Sequence, residues 1–134
     1  MALIEWGNNL SVGVGEMDEQ HKKLIKMIND LHDAMKTGKG KEATVKVITE
    51  LTNYTQTHFS KEEKYMAQFN YADLDKQKAA HSAFIRKLND IKKSVQDGQN
   101  VTIDFMKFLN SWLTEHIVGM DKKYSALFNQ NGLK

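Results

Sequence analysis

Six side chains that can bind a metal ion fall on helical stripes that are otherwise apolar. They are four imidazoles and two carboxylates, namely His21, His58, Glu62, His81, His116 and Asp121. Such groups are costly to bury unless they are paired, hydrogen-bonded or bound to a metal. A set rich in imidazole suits iron or another first-row metal better than calcium or magnesium, which prefer oxygen ligands. These residues therefore predict a metal site in the core of a helical bundle.

The stripes are recognised from their spacing, because residues three and four positions apart share one face of a helix. At least one candidate ligand lies on each stripe. The stripes are Met17, His21, Leu24, Ile28, Leu31 and Met35; Ile48, Leu51, Thr55, His58, Glu62 and Tyr65; Leu74, Gln77, His81, Phe84, Leu88, Ile91 and Val95; and Phe105, Leu109, Trp112, His116 and Met120.

Helix boundaries follow from the capping and turn residues, because the chain contains no proline. We predict helices from an N-cap at Asp18 to about Gly38, from 41 to 69, from a cap at Asp73 to about 96, and from 102 to 128. The connections are short, with a turn at 97–100, so consecutive helices must be antiparallel. The predicted fold is all-α, an up-down-up-down antiparallel four-helix bundle in one domain (1–134), with residues 1–17 as an arm packed across it.

This topology brings the candidate ligands to one end of the bundle. His21 and His81 lie near the starts of their helices, whereas His58 and His116 lie in the later halves of theirs. Asp121 lies five residues after His116, which is about 140° around a regular helix. The fourth helix must therefore widen or break between these two residues, most easily at Gly119.

The composition restricts the function classes. Lys and Arg number 19, Asp and Glu 17, and the net charge is +2, so charge gives no reason to expect a nucleic-acid partner. The absence of Cys excludes thiolate chemistry and disulfides. We expect neither a signal peptide nor a membrane span, and we predict a cytoplasmic protein that is a monomer or a weak oligomer.

The pattern resembles that of the hemerythrins, specifically the bacterial single-domain kind, and the resemblance covers essentially the whole chain. The matching stretches are 12–14, 17–21, 58–62, His81, 112–117, Asp121 and Tyr124. The resemblance implies a bundle that holds two irons, joined by an oxo or hydroxo bridge, and that binds dioxygen reversibly at one of them.

The resemblance also implies individual roles. His21 and His58 would ligate the oxygen-binding iron, and His81 and His116 the other. Glu62 and Asp121 would bridge the pair. An apolar dioxygen pocket would be formed by Trp112, Leu113 and Ile117.

One position departs from the family pattern, in which a His-x-x-x-His pair is expected on the third helix. The first member of that pair is Gln77 here, one turn before His81. An amide oxygen is a weaker donor toward ferrous iron than an imidazole. Gln77 bound through oxygen, a water in its place, an open coordination position and a purely structural Gln77 all remain open.

Two function classes follow. The first is a dioxygen carrier, store or sensor, because imidazole ligands favour ferrous iron more than carboxylate-rich sites do. The alternative is a di-iron peroxidase or oxidase that exploits an open position at Gln77. Oxygen binding ranks first, and a non-enzymatic protein is expected. Zinc or manganese would also suit the same donor set.

Overall fold

The computed structural model describes residues 4–36, 41–98 and 103–134. Helix α1 is Gly15–Lys36, α2 is Lys41–Gln68, α3 is Leu74–Gln96 and α4 is Ile103–Gly119. A short 3-10 turn, Asp121–Tyr124, and a last helix α5, Ser125–Gln130, continue from α4. The predicted all-α class and the four-helix bundle are confirmed. No helix in the described ranges is long and apolar enough to cross a membrane.

The helices pack in the order expected of an up-down bundle. Helix α2 lies against both α1 and α3, and α4 returns against α1. Each helix contributes its apolar stripe to one continuous core. The largest fully buried side chains are Tyr124, Phe84, Phe128, Met17, Leu24, Ile28, Leu31, Ile48, Leu51, Met66, Leu88 and Ile91. Burial of such stripes supplies most of the stability of helices in water.

The start of α1 differs from its prediction, because the helix begins at Gly15 and Asp18 is not its N-cap. Asp18 lies in the first turn, where an acidic side chain is favourable. Its carboxylate accepts hydrogen bonds from the Ser11 hydroxyl at 2.6 Å and from the Val12 backbone N–H at 2.8 Å. Asp18 therefore fixes the arm to the helix instead of capping the helix.

The arm is held by backbone contacts as well as by burial. The side-chain amide of Asn29 on α1 accepts from the Ile4 N–H and donates to the Ile4 carbonyl, both at 2.9 Å. Val12 and Val14 are buried, and Trp6 is partly buried against the core. At the other end of the chain, Asn129 donates to the Gly13 carbonyl.

The fourth helix breaks where the sequence predicts an irregularity. Helix α4 ends at Gly119, and Met120 has φ −119° and ψ −52° before the chain tightens into a 3-10 turn. The predicted continuous helix to Phe128 is therefore wrong, and the predicted break between His116 and Asp121 is confirmed. The predicted end of α1 at Gly38 and the turn residues 99–100 lie outside the described residues, as do the side chains of Met35 and Phe105.

Replacing Asp18 with Ala should lower the free energy of unfolding by about 2 kcal/mol, because two hydrogen bonds to a charged acceptor are lost and their donors are left in a half-buried position. Urea unfolding of the metal-free protein measures this loss. The control is Glu19→Ala, which removes an exposed carboxylate of the same turn and should change stability by no more than about 0.5 kcal/mol. Equal losses in both variants would contradict the anchoring role.

Candidate metal centre

The structure brings all seven predicted ligand candidates together in the core. Glu62 is 0% exposed and the most exposed member, His116, is only 5% exposed. The set comes from every helix of the bundle and from the 3-10 turn: His21, His58, Glu62, Gln77, His81, His116 and Asp121. Polar groups are buried to this degree only when they are compensated. The arrangement therefore requires either mutual pairing or a bound ion.

Glu62 is the centre of the cluster. Its Oε2 lies 3.4 Å from His21 Nε2. Its Oε1 lies 3.3 Å from His58 Nε2 and 3.4 Å from His81 Nε2. Three imidazoles from three helices thus face one carboxylate. This is the position that a ligand shared between two metal ions would occupy.

Asp121 joins the remaining imidazole to the cluster. Its Oδ2 lies 3.3 Å from His21 Nε2, and its Oδ1 lies 3.1 Å from His116 Nε2. His116 Nε2 is also 3.1 Å from His81 Nε2. The break after Gly119 makes this possible, because it turns Asp121 back toward the face of α4 that carries His116. Asp121, like Glu62, faces imidazoles from both sides of the site.

The donor atoms fall into two groups that share Glu62. One consists of His21, His58 and Glu62, and the other of Glu62, His81, His116 and Asp121, with the donor atoms in each group within 4.8 Å of one another. Among the described residues, several buried atoms of the cluster lack a hydrogen-bond partner: both nitrogens of His21, Nε2 of His58, Oε1 of Glu62 and Oε1 of Gln77. Such atoms are costly to leave unpaired. A pair of metal ions would satisfy the two Nε2 atoms and Oε1 of Glu62, so the residues fit two metals.

Gln77 lies in the cluster, on the side of His81 and His116. Its amide N–H donates to Asp121 Oδ1 at 3.1 Å, while its own Oε1 has no partner in the part of the chain that the structure describes. The side chain therefore belongs to the buried cluster, and its correspondence to an imidazole of the family pattern stays a prediction. It is bonded to a carboxylate that we expect to bind metal.

Three residues outside the predicted set support the donors. Gln20 Oε1 lies 2.6 Å from His58 Nδ1, and Glu63 Oε2 lies 2.8 Å from His81 Nδ1. The Tyr124 hydroxyl donates to Glu62 Oε2 at 2.7 Å. Such partners fix the ring orientation of metal-binding histidines. Gln20 and Tyr124 lie in the stretches that carry the family resemblance, whereas the sequence signal for Glu63 is only its position next to Glu62.

Contacts between carboxylates and imidazoles shift the pKa values of the cluster. Burial would lower the pKa of His21, but the carboxylates of Asp121 and Glu62 outweigh it and raise that pKa to about 10. Burial would raise the pKa of Glu62, yet His58 and His21 hold it well below its ordinary value. The pKa of Asp121 is lowered as well, because His116 and His21 prevail over burial and the charge of Glu62. Both carboxylates are therefore ionised, as metal ligands must be.

Aromatic rings pack against the side of the site that contains His81 and His116. Phe59 stacks on His81 with ring centres 3.7 Å apart, and Trp112 stacks on His116 at 4.4 Å. Leu113 and Ile117 are buried, and Trp112 is partly buried. All three residues lie on α4, as His116 does, and their role as a dioxygen pocket stays a prediction.

His32, the fifth histidine of the chain, belongs to neither donor group.

Together, the fold and the site define an all-α bundle protein with a two-part metal centre of imidazoles and shared carboxylates. Residues 12–128 match the hemerythrin family, described as the hemerythrin HHE cation binding domain. The chain therefore belongs to the hemerythrin family.

Named relatives agree over most of the chain. It is 36% identical to a bacteriohemerythrin of Methylococcus capsulatus, covering 92% of this chain and 95% of the relative. It is 35% identical to a myohemerythrin of Theromyzon tessulatum, covering 91% of each. The crystal structure of a wild-type hemerythrin is similar with a TM-score of 0.87 and 34% identity, covering 94% of this chain and 98% of that one.

The shared carboxylate predicts how the two metals respond to substitution. Titrating the metal-free protein with Co²⁺ should give two ions per chain. Glu62→Gln should weaken both by at least about 10-fold, because Glu62 belongs to both groups, whereas His58→Ala should weaken one. His32→Ala, an imidazole outside both groups, is the control and should change neither. A parent chain that binds a single ion, or a Glu62→Gln variant with one ion unaffected, would contradict the two-part centre.

Proposed function

We propose that this chain is a non-haem di-iron protein that binds dioxygen reversibly, as a carrier, store or sensor. The observation that carries the proposal is the buried donor set, in which two groups of imidazoles share Glu62 and leave inward-facing donor atoms without partners. Membership of the hemerythrin family supports iron as the metal and dioxygen as the ligand.

The roles of individual residues follow the two groups. His21 and His58 hold the oxygen-binding iron, and His81 and His116 hold the other. Glu62 and Asp121 are shared, which is supported by the imidazoles that each faces from both sides. Gln77, which donates to Asp121, would support the second iron through that carboxylate.

The ratio of imidazole to carboxylate ligands suits reversible binding of dioxygen. Iron supplies the electrons for the reversible reaction with dioxygen, which no side chain of this site supplies. Four imidazoles, which are neutral when they bind a metal, against two carboxylates favour the ferrous state that dioxygen requires. The apolar side chains of Leu113 and Ile117, with Trp112 against His116, keep water away from the site.

The partners, location and oligomeric state of the protein are a further part of the proposal. Its near-balanced charge supports an absence of nucleic-acid and membrane partners. A cytoplasmic location and a monomeric or weakly oligomeric state are expected from the composition and from a core closed within one chain. The peroxidase or oxidase alternative draws no support from the named relatives, which are hemerythrins.

The proposal is tested by loading the metal-free protein with Fe²⁺ under argon and exposing it to dioxygen. We expect an uptake of one dioxygen per two irons, with a new visible absorption band that disappears when the solution is purged. Oxygen uptake and the spectrum are measured together over several cycles. Irreversible oxidation in the first cycle, or no uptake, would contradict oxygen carriage.

Acidification should release the iron, because protons compete with the metal for imidazole nitrogens. The loss should increase as the pH falls and should be extensive well below about 6.5, the reference pKa of histidine. The loss is measured as the iron that remains bound after gel filtration at each pH of a series. Return to neutral pH with fresh Fe²⁺ should restore the iron content. Full retention at pH values well below that range would show that the imidazoles are not the ligands.

A further inference from the structure

The two halves of the centre have different hydrogen-bond partners. In one half, His58 Nδ1 faces the neutral amide oxygen of Gln20 at 2.6 Å, and His21 Nδ1 has no hydrogen-bond partner within the described residues. In the other half, His81 Nδ1 faces the carboxylate of Glu63 at 2.8 Å. Since a carboxylate acceptor makes an imidazole a stronger donor to a metal, the two halves differ in donor strength.

The half with the stronger imidazole is also the half that contains Gln77. The Gln77 amide donates to Asp121 Oδ1, the oxygen that lies 3.1 Å from His116 Nε2. A hydrogen bond to a carboxylate oxygen draws charge from it and weakens it as a metal donor. An amide is itself a weaker ligand than an imidazole. Without Glu63, this half would therefore be the poorer of the two.

We propose that Glu63 is a positioning residue that compensates for Gln77, by orienting His81 and strengthening it as a ligand of the second metal. The inference rests on the proposed function, because it concerns the metal held by His81 and His116. Glu63 does not touch the metal, and it acts only through the Nδ1–H of His81.

The surroundings of Glu63 agree with this role. The His81 ring is fixed on one face by Phe59, with the two rings parallel within 1° and 3.7 Å apart. Its Nδ1 edge points to a groove of about 550 Å³ between α2 and α3, lined by Ser60, Glu63, Ser82 and Arg86 among others. The Glu63 side chain is 25% exposed, so it stays hydrated while it holds a buried ring. Ring stacking and one charged hydrogen bond together leave His81 a single orientation.

The test is a double-mutant cycle on the full chain, using Glu63→Gln, Gln77→His and the double variant. Each metal-free protein is titrated with Fe²⁺ under argon against a competing chelator. Glu63→Gln should weaken one of the two ions by about 10- to 100-fold and leave the other unchanged. In the Gln77→His background the same substitution should cost much less, because a further imidazole then supports that metal. Glu50→Gln, an exposed carboxylate of α2, controls for net charge.

A second measurement separates ligand tuning from a structural role. Glu63→Gln should raise the reduction potential of one iron and shift the exchangeable Nδ1–H resonance of His81 in the Co²⁺-loaded protein, while urea unfolding of the metal-free protein changes little. Glu63→Asp retains the charge and should recover part of both properties.

The outcomes are distinguishable. Equal losses of affinity in the parent chain and in the Gln77→His background would overturn compensation, and an unchanged potential and resonance would overturn the role of Glu63 as a tuning partner. If Glu63→Gln does not fold, the same comparison is made with Glu63→Asp, where an unchanged affinity and resonance overturn the proposal. A parent chain that binds fewer than two ions would instead overturn the proposed function.

Discussion

Two ionised carboxylates buried in one core are the constraint on which the rest of the structure depends. Glu62 and Asp121 are 0% and 1% exposed, and an uncompensated charge at such depth costs several kcal/mol even after relaxation. The helices must therefore position positive or polarisable groups next to these two carboxylates. Four imidazoles and the Tyr124 hydroxyl do so. Two bound metal ions would balance the charges of the carboxylates in place of the proton-mediated contacts with the imidazoles. Folding of the bundle and binding of the metals therefore depend on the same side chains.

The sequence predicts the part of this arrangement that depends on spacing. Apolar periodicity places His21, His58, His81 and His116 on inward faces, and the angular mismatch with Asp121 predicts the break after Gly119. The start of α1 is not predictable in this way, because Asp18 is equally suited to capping a helix and to holding an arm. Glu63 and Gln20 are also missed, since their contacts with the imidazoles depend on how neighbouring helices approach, which periodicity does not encode.

Gln77 is a buried side chain of the site whose state the sequence leaves open. From sequence alone the residue has several equally reasonable states. In the structure its amide N–H donates to Asp121, and its Oε1 has no hydrogen-bond partner among the described residues. Because this hydrogen bond weakens Asp121 as a metal donor, the hydrogen-bond partners of the imidazoles matter more in this chain.

The break after Gly119 also has a kinetic consequence. Asp121 and Tyr124 lie on a short segment after the break, not within a long helix, and Asn129 ties that segment to the arm through Gly13. A short segment can open separately from a bundle core, at a smaller free energy than global unfolding. Opening of residues 121–130 would withdraw one carboxylate and the tyrosine that holds the other, while α1 to α3 stay folded. Such an opening would let a metal ion exchange with solution without global unfolding of the bundle.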